Sequence, residues 1–247
     1  MAKPMSDQAT AHDRVDDFLN RTTRASRPHR RRFPLWLAAA LVMLIIALGV
    51  VLYRQFMPLD APIPPDAGAL YIGLEQGYTE QGFPRLGSPN APVVVEEFAS
   101  YACSHCRDFH DERFPDLLDE IAAGQVQFVL IPVPQIGPGA GTAAKAAFCA
   151  GEQGRFWAMS DVLFDWQQRF ITLTFADRRI RQGAENMGLD PAAFDACMSE
   201  NHPGAVIDSA RSEFRRRGLS GTPSFFVNGE KVRDYEELDN LGDWPIN

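Results

Sequence analysis

The sequence predicts an α/β domain carrying an inserted block of helices, preceded by one membrane-crossing helix. Three observations predict it. Residues Phe33–Tyr53 form a run of 21 residues without a charge. A β-branched strand, a helix and a second strand succeed one another between Val93 and Ile131. Helical periodicity then fills about 140–218, before a short strand that ends in Asn228-Gly229, the strongest short hairpin signal.

Charge separates the N-terminal end from the rest. Residues 1–57 hold nine Lys/Arg and four Asp/Glu, a balance of +5, and residues 58–247 hold fifteen and twenty-eight, a balance of −13. An acidic main domain argues against nucleic acid as partner. Residues 1–32 read as a basic cytoplasmic tail without apolar periodicity, apart from a brief amphipathic turn that Val15–Leu19 could form. The apolar run, taken as a transmembrane helix over 33–53, reaches about 30 Å and spans a hydrocarbon core. Arg30, Arg31 and Arg32 precede it and only Arg54 follows closely, so the positive-inside rule keeps the N-terminus in the cytoplasm. Everything after Met57 is therefore expected on the extracytoplasmic side of the cell membrane. A cleaved signal peptide would be shorter and end on small residues, whereas this run ends in Leu52-Tyr53-Arg54. Pro34 spoils a twin-arginine reading of the Arg cluster, and the cluster also fits a membrane edge better than a buried core helix. Residues 54–69, with four prolines in Pro58–Pro65, read as a stiff extended linker.

The folded domain is expected over 70–247. Gly87–Pro92 is a turn cluster that launches the buried strand Val93–Phe98. Apolar residues at helical spacing predict a helix over Asp108–Ala123, ended by Gly124, and Val126–Ile131 predicts a second strand. Strands joined through such a helix should be parallel. Thr142–Phe164 reads as helical with a break near Gly151–Gly154, and Phe175–Met187, Pro191–Ser199 and Ala205–Arg217 continue the block. Ser224–Val227 is strand-like, Lys231–Arg233 returns, and a weak helix closes the chain.

Cys103-Ser104-His105-Cys106 is the motif that carries chemistry. Two intervening residues let the sulfurs meet across the first turn of a helix. The first sulfur then sits where unpaired backbone N–H groups and the helix dipole favour a thiolate, the form that attacks. Cys106, one turn inside, is expected to be more buried. Zinc would need a second close Cys or His pair, and Cys149 and Cys197 are isolated. A short structural disulfide is the bland alternative. Glu97 shares a strand face with Val93 and Val95, and Glu96 shares the other with Val94 and Phe98. A central strand would bury one of these carboxylates, and a strand end would leave Glu97 in solvent. His110 reads as a solvent-facing histidine one turn beyond Cys106.

Residues 87 to 229 resemble the thioredoxin superfamily, specifically its DsbA-like branch with the helical insertion. Gly87–Phe98 with Cys103–Cys106 resembles the opening motif, Ala150–Trp157 a segment of the insertion, and Gly221–Gly229 the closing motif. The resemblance implies a thioredoxin fold with an inserted helical subdomain. It implies that Thr222-Pro223 is a cis-proline turn beside Cys103, where a substrate peptide pairs as an extra strand, rather than a trans proline opening a strand. The family places a buried acid six residues before the first cysteine, which matches Glu97. Burial would raise its pKa and suit it to relaying a proton to Cys106. His105 and Ser104 would tune redox direction, with a histidine here resembling oxidase members and Ser104 standing where many have proline. Some relatives bridge two cysteines in the insertion, so Cys149 and Cys197 are either a structural disulfide or two buried thiols.

The function implied is disulfide formation in reduced exported proteins by a Cys103–Cys106 dithiol oxidase. No cofactor is implied, since the cysteines are the redox group. A membrane quinone-linked thiol oxidase of the DsbB or vitamin K epoxide reductase type would reoxidise the pair. The alternatives are a reductase or isomerase of the same fold, a copper(I)-binding or chaperone module using Cys103, His105 and Cys106, and a plain structural domain.

Overall fold

The computed structural model describes residues 34–56, 59–200 and 202–233, together with 235, 237, 238 and 241. The cytoplasmic tail expected over 1–32, Phe33 at the head of the apolar run and most of the weak C-terminal helix lie outside the described residues. The chain divides into two units, 1–57 and 58–247.

The first unit contains helix α1, Leu35–Phe56. It starts directly after Pro34, whose carbonyl accepts a bond from Leu37 N. A proline lacks the N–H that an interior helical position would use and so sits well at a helix start. By length and composition α1 can cross a bilayer.

The second unit is built on one six-stranded sheet. Its strands are β1 Gln76–Tyr78, β2 Pro84–Leu86, β3 Val93–Ala99, β4 Val126–Pro132, β5 Ser224–Val227 and β6 Glu230–Lys231, in the order β1-β2-β4-β3-β5-β6. Strands β3 and β4 run parallel, with Val93 opposite Val126 and Ala99 opposite Pro132. Strand β5 pairs antiparallel with β3, and the β5–β6 turn uses Asn228 and Gly229 at positive φ. That geometry is the type I′ hairpin turn, which matches the twist of its flanking strands. Every residue of β4 is buried, as expected for a strand covered on both faces.

Between β3 and β4 lie α2, Ser104–Glu112, a 3-10 turn, Phe114–Leu117, and α3, Leu118–Ala122. The single helix expected over Asp108–Ala123 is thus interrupted. Pro115 has no N–H for the ladder and its ring opposes a continuing helix, so the chain tightens into a 3-10 turn there. The insertion consists of α4 Ala140–Gly151, α5 Phe156–Arg169, α6 Asp177–Asn186, α7 Pro191–Ser199 and α8 His202–Arg216. Helix α7 has both start signals, Pro191 at its first position and the Asp190 carboxylate accepting from the N–H groups of Ala192 and Ala193.

Two findings differ from expectation in the segment before β3. Strands β1 and β2 carry no alternation that would mark them, and they are held by the ladder from Leu86 to Phe128 rather than by propensity. From Leu59 on, the proline-rich run, expected as a spacer, is instead packed down as a strap. Ala61 is buried, and the carbonyls of Asp60, Ala61 and Pro62 accept bonds from Arg179 (2.8 Å), Asn186 (2.8 Å) and the Trp166 indole (2.7 Å). Prolines remove donors but leave carbonyls, and α5 and α6 supply the donors those carbonyls need.

Trp166 is fully buried and tied by that bond, which fixes what can sit opposite it. A Cβ on Gly183 would stand 2.4 Å from the end of the indole ring. Gly183→Ala should therefore destabilise the domain. Overpacking costs about 1–3 kcal/mol, against a gain of roughly 0.8–1 kcal/mol in helix propensity. A lowered thermal midpoint is the expected reading. An unchanged or raised one would mean that the indole moves aside freely.

Candidate active site

The central strand β3 ends at Ala99, and a tight turn carries the chain into α2. Cys103 N donates to Ser100 O (3.0 Å), and Ala102 N donates to Ser100 Oγ (3.1 Å). Cys103 is the N-cap of α2 in extended conformation, and its carbonyl already accepts from Arg107 N. Its sulfur therefore faces the unpaired N–H groups of the first helical turn.

The two sulfurs have opposite environments. Cys103 is partly exposed, and its Sγ lies 3.1 Å from the Thr222 carbonyl oxygen, to which the thiol form donates. Its pKa is lowered from 9.0 to about 5. The first cause is the hydrogen bond from Cys106. Burial works against it, and the Thr222 side chain and the backbone N–H groups of Cys106 and His105 add to the lowering. The Thr222 hydroxyl is buried with no partner of ordinary hydrogen-bond geometry among the described residues, so it can turn toward the anion. Cys106 is fully buried and accepts from Ser100 N at 3.4 Å. Burial pushes its thiol far above the ordinary range, with the bond to Cys103 and the Glu97 charge acting in the same direction. One sulfur is thus held as an accessible thiolate and the other as a buried thiol.

The Thr222-Pro223 peptide is cis and brings the Thr222 backbone beside Cys103. His105 and Ser104 are both exposed. The His105 backbone N–H contributes to the lowering, and His105 lines a groove of about 350 Å³ together with Thr222, Pro223, Phe225, Lys231 and Tyr235. Cys103, His105 and Cys106 do not converge as a three-donor metal site. Cys149 and Cys197, on α4 and α7, are joined with Cα atoms 5.6 Å apart.

Glu97 is completely buried, with one oxygen, Oε2, 2.8 Å from His110 Nε2. Its other oxygen, Oε1, has no hydrogen-bond partner among the described residues. Glu96, on the opposite face, is half-buried and paired with Arg217 (2.7 and 3.0 Å). His110 corrects the sequence expectation, since it is buried rather than solvent-facing. Its ring is stacked on Phe164 and Phe114 at centroid distances of 4.5 and 5.2 Å. The missed signal was spacing. His110 stands four residues after Cys106 and therefore shares its helix face.

Residues 79–244 match the model of a family described as thioredoxin. The chain is 32% identical over 145 residues to the Na(+)/H(+) antiporter NhaA 3 of Salinispora tropica, covering 59% of this chain and 21% of the antiporter. The chain thus spans about a fifth of that relative's length. It is 26% identical over 174 residues to disulfide bond formation protein D of Bacillus subtilis, covering 65% of this chain and 74% of that one. The crystal structure of oxidised BdbD from Bacillus subtilis superposes with a TM-score of 0.59 at 22% identity, over 69% of this chain and 95% of that chain, a likeness of fold.

Proposed function

The chain belongs to the thioredoxin family, and from that premise we propose that it is a thiol–disulfide oxidoreductase that forms disulfides in exported proteins. The observation that carries this reading is the contrast between the two sulfurs, an accessible Cys103 lowered to about 5 and a buried Cys106 pushed up. A stabilised Cys103 thiolate favours the reduced pair, which makes the disulfide the stronger oxidant. A low-pKa sulfur is also the better leaving group when a second substrate thiolate resolves the mixed disulfide. The relative named disulfide bond formation protein D supports the same direction.

In this reading, a substrate thiolate attacks Cys103 of the oxidised pair, and the electron pair of the broken bond goes to Cys106. A second substrate thiolate then attacks the substrate sulfur bound to Cys103, and the products are a substrate disulfide and a reduced enzyme. The substrate segment lies against the Thr222 backbone as an added strand, with His105 and Pro223 lining its path. Helix α1 anchors the protein in the cell membrane with the domain outside the cytoplasm. Tethering raises the frequency of encounter with a membrane quinone-linked thiol oxidase that restores the disulfide.

Cys106→Ala should accumulate mixed disulfides on Cys103 in cells, released by reductant and absent from the Cys103→Ala/Cys106→Ala double variant. Capture by Cys103→Ala instead would reverse the two roles. The reduction potential tests direction. A value more oxidising than that of thioredoxin, about −270 mV, is expected, and a value at or below it would make the protein a reductase.

A further inference from the structure

We propose that His110 is the outer member of a proton relay that joins buried Glu97 to an acid-lined cleft, so that Cys106 is supplied with protons from a side the substrate does not use. The inference rests on the dithiol chemistry proposed above and adds the route by which its proton travels.

The geometry supplies the outer links of such a path. Glu97 Oε2 and His110 Nε2 are 2.8 Å apart, and both side chains are nearly closed to solvent. The stacked rings of Phe164 and Phe114 hold the imidazole in its plane. Glu97 Oε1, the oxygen His110 does not use, lacks a partner among the described residues, and the Glu97 charge acts on Cys106. On its other side His110 borders a cleft of about 240 Å³ whose walls include Tyr71, Asp66, Asp111, Asp161 and Asp165. No residue of this cleft also lines the groove at Thr222-Pro223. Substrate and proton therefore have separate entrances.

The titratable groups at the imidazole and around its cleft suit the task. Glu97 approaches from β3, Asp111 from its own helix, Asp161 and Asp165 from α5, Asp66 from the strap, and Tyr71 from the turn after it. Burial raises the pKa of Asp161 and Asp111, opposed at Asp161 by the Tyr71 hydroxyl, the Gly68 N–H and then His110, and at Asp111 by Arg107 and then His110. These acids can hold and hand on a proton beside a ring that has two nitrogens to pass it through.

The step balances as follows. The substrate sulfur forms a bond to Cys103 Sγ and the Cys103–Cys106 bond breaks, its electron pair going to Cys106 Sγ. The substrate thiolate is oxidised and the disulfide is reduced. Glu97 gives its proton to Cys106, His110 Nε2–H restores it, and the other imidazole nitrogen takes a proton from the cleft.

The test follows reduction of the oxidised full-length chain by a reduced peptide in rapid mixing, using His110→Gly and His110→Gln. Both should slow the release of Cys106 by about a hundredfold, the lower end for general acid–base catalysis. The alkylation midpoint of Cys103 should stay in place. Free imidazole should restore the His110→Gly rate by occupying the space left between the rings, to an extent that follows the proton affinity of the azole used, which refilling the space alone would not give. Wild-type rates in both variants, or a folded His110→Gly that imidazole leaves slow, would overturn the relay. If His110→Gly fails to fold, His110→Gln decides. A slow rate that climbs with buffer acid concentration supports the relay, and a rate within about twofold of wild type sinks it. A wild-type chain that cannot oxidise the peptide at all would defeat the oxidase reading instead.

Discussion

Cys103→Ser should reduce thiol exchange to the rate of free thiols in solution, while Cys103 in the wild-type reduced protein should alkylate with a midpoint near pH 5. A serine hydroxyl in the same N-cap position keeps the geometry and loses the ionisable group, so geometry alone is not expected to sustain exchange. The sign of the pH dependence follows from the direction of the shift. The folded-state pKa is lowered from 9.0 to about 5. Ionisation therefore stabilises the reduced fold fully above about 9, and that stabilisation disappears as pH falls through about 5. The reduced form of the wild type should gain stability relative to Cys103→Ser across this window, and the two should converge below it. Iodoacetamide rate profiles and denaturant midpoints measured between pH 4 and 9 read both effects. A wild-type alkylation midpoint near that of free cysteine would remove the basis for the proposed oxidase. Such a result would also contradict the hydrogen bond from Cys106 as the leading cause of the lowering.

How much of this site was legible in the sequence depends on whether a residue's role is local. Cys103 sits at a helix start because of what immediately surrounds it, and so the spacing to Cys106 and the turn before Ser104 were readable directly. The central strand was readable because Val93, Val95 and Phe98 are apolar on both faces, and a strand of that kind in mid-sheet leaves Glu97 nowhere to go but inside. Residues whose role is set by distant partners were not legible. The partner that buries His110 is a carboxylate thirteen residues away on a different element, and the rings that clamp it come from the 3-10 turn and from α5. The proline-rich strap reads as a spacer from composition, because the donors that capture its carbonyls, on Trp166, Arg179 and Asn186, lie more than a hundred residues further on. Strands β1 and β2 escaped for the same reason, since β2 is a strand through its register with β4 and β1 through its register with β2.

The remaining large effect concerns the bond joining Cys149 to Cys197. These residues are 48 apart in sequence and tie α4 to α7 within the insertion. Closing a loop of that length in the unfolded chain removes entropy worth about 4 kcal/mol in the chain-entropy model, roughly a thousandfold in the folding equilibrium. The Cys149→Ala/Cys197→Ala variant should therefore unfold at clearly lower denaturant concentration. Its Cys103 alkylation midpoint should be unmoved, because the groups that set it lie at the start of α2 and at Thr222. A domain that trades disulfides can retain one of its own when exchange thiols cannot reach it, and Cys149 and Cys197 are only 1% and 4% exposed. Two outcomes would count against the bridge: equal stability of the variant and the wild type under oxidising conditions, or labelling of both cysteines with a thiol reagent once the wild type is unfolded without reductant. Full resistance to labelling until reductant is added, together with the loss of stability in the variant, is the result this arrangement requires.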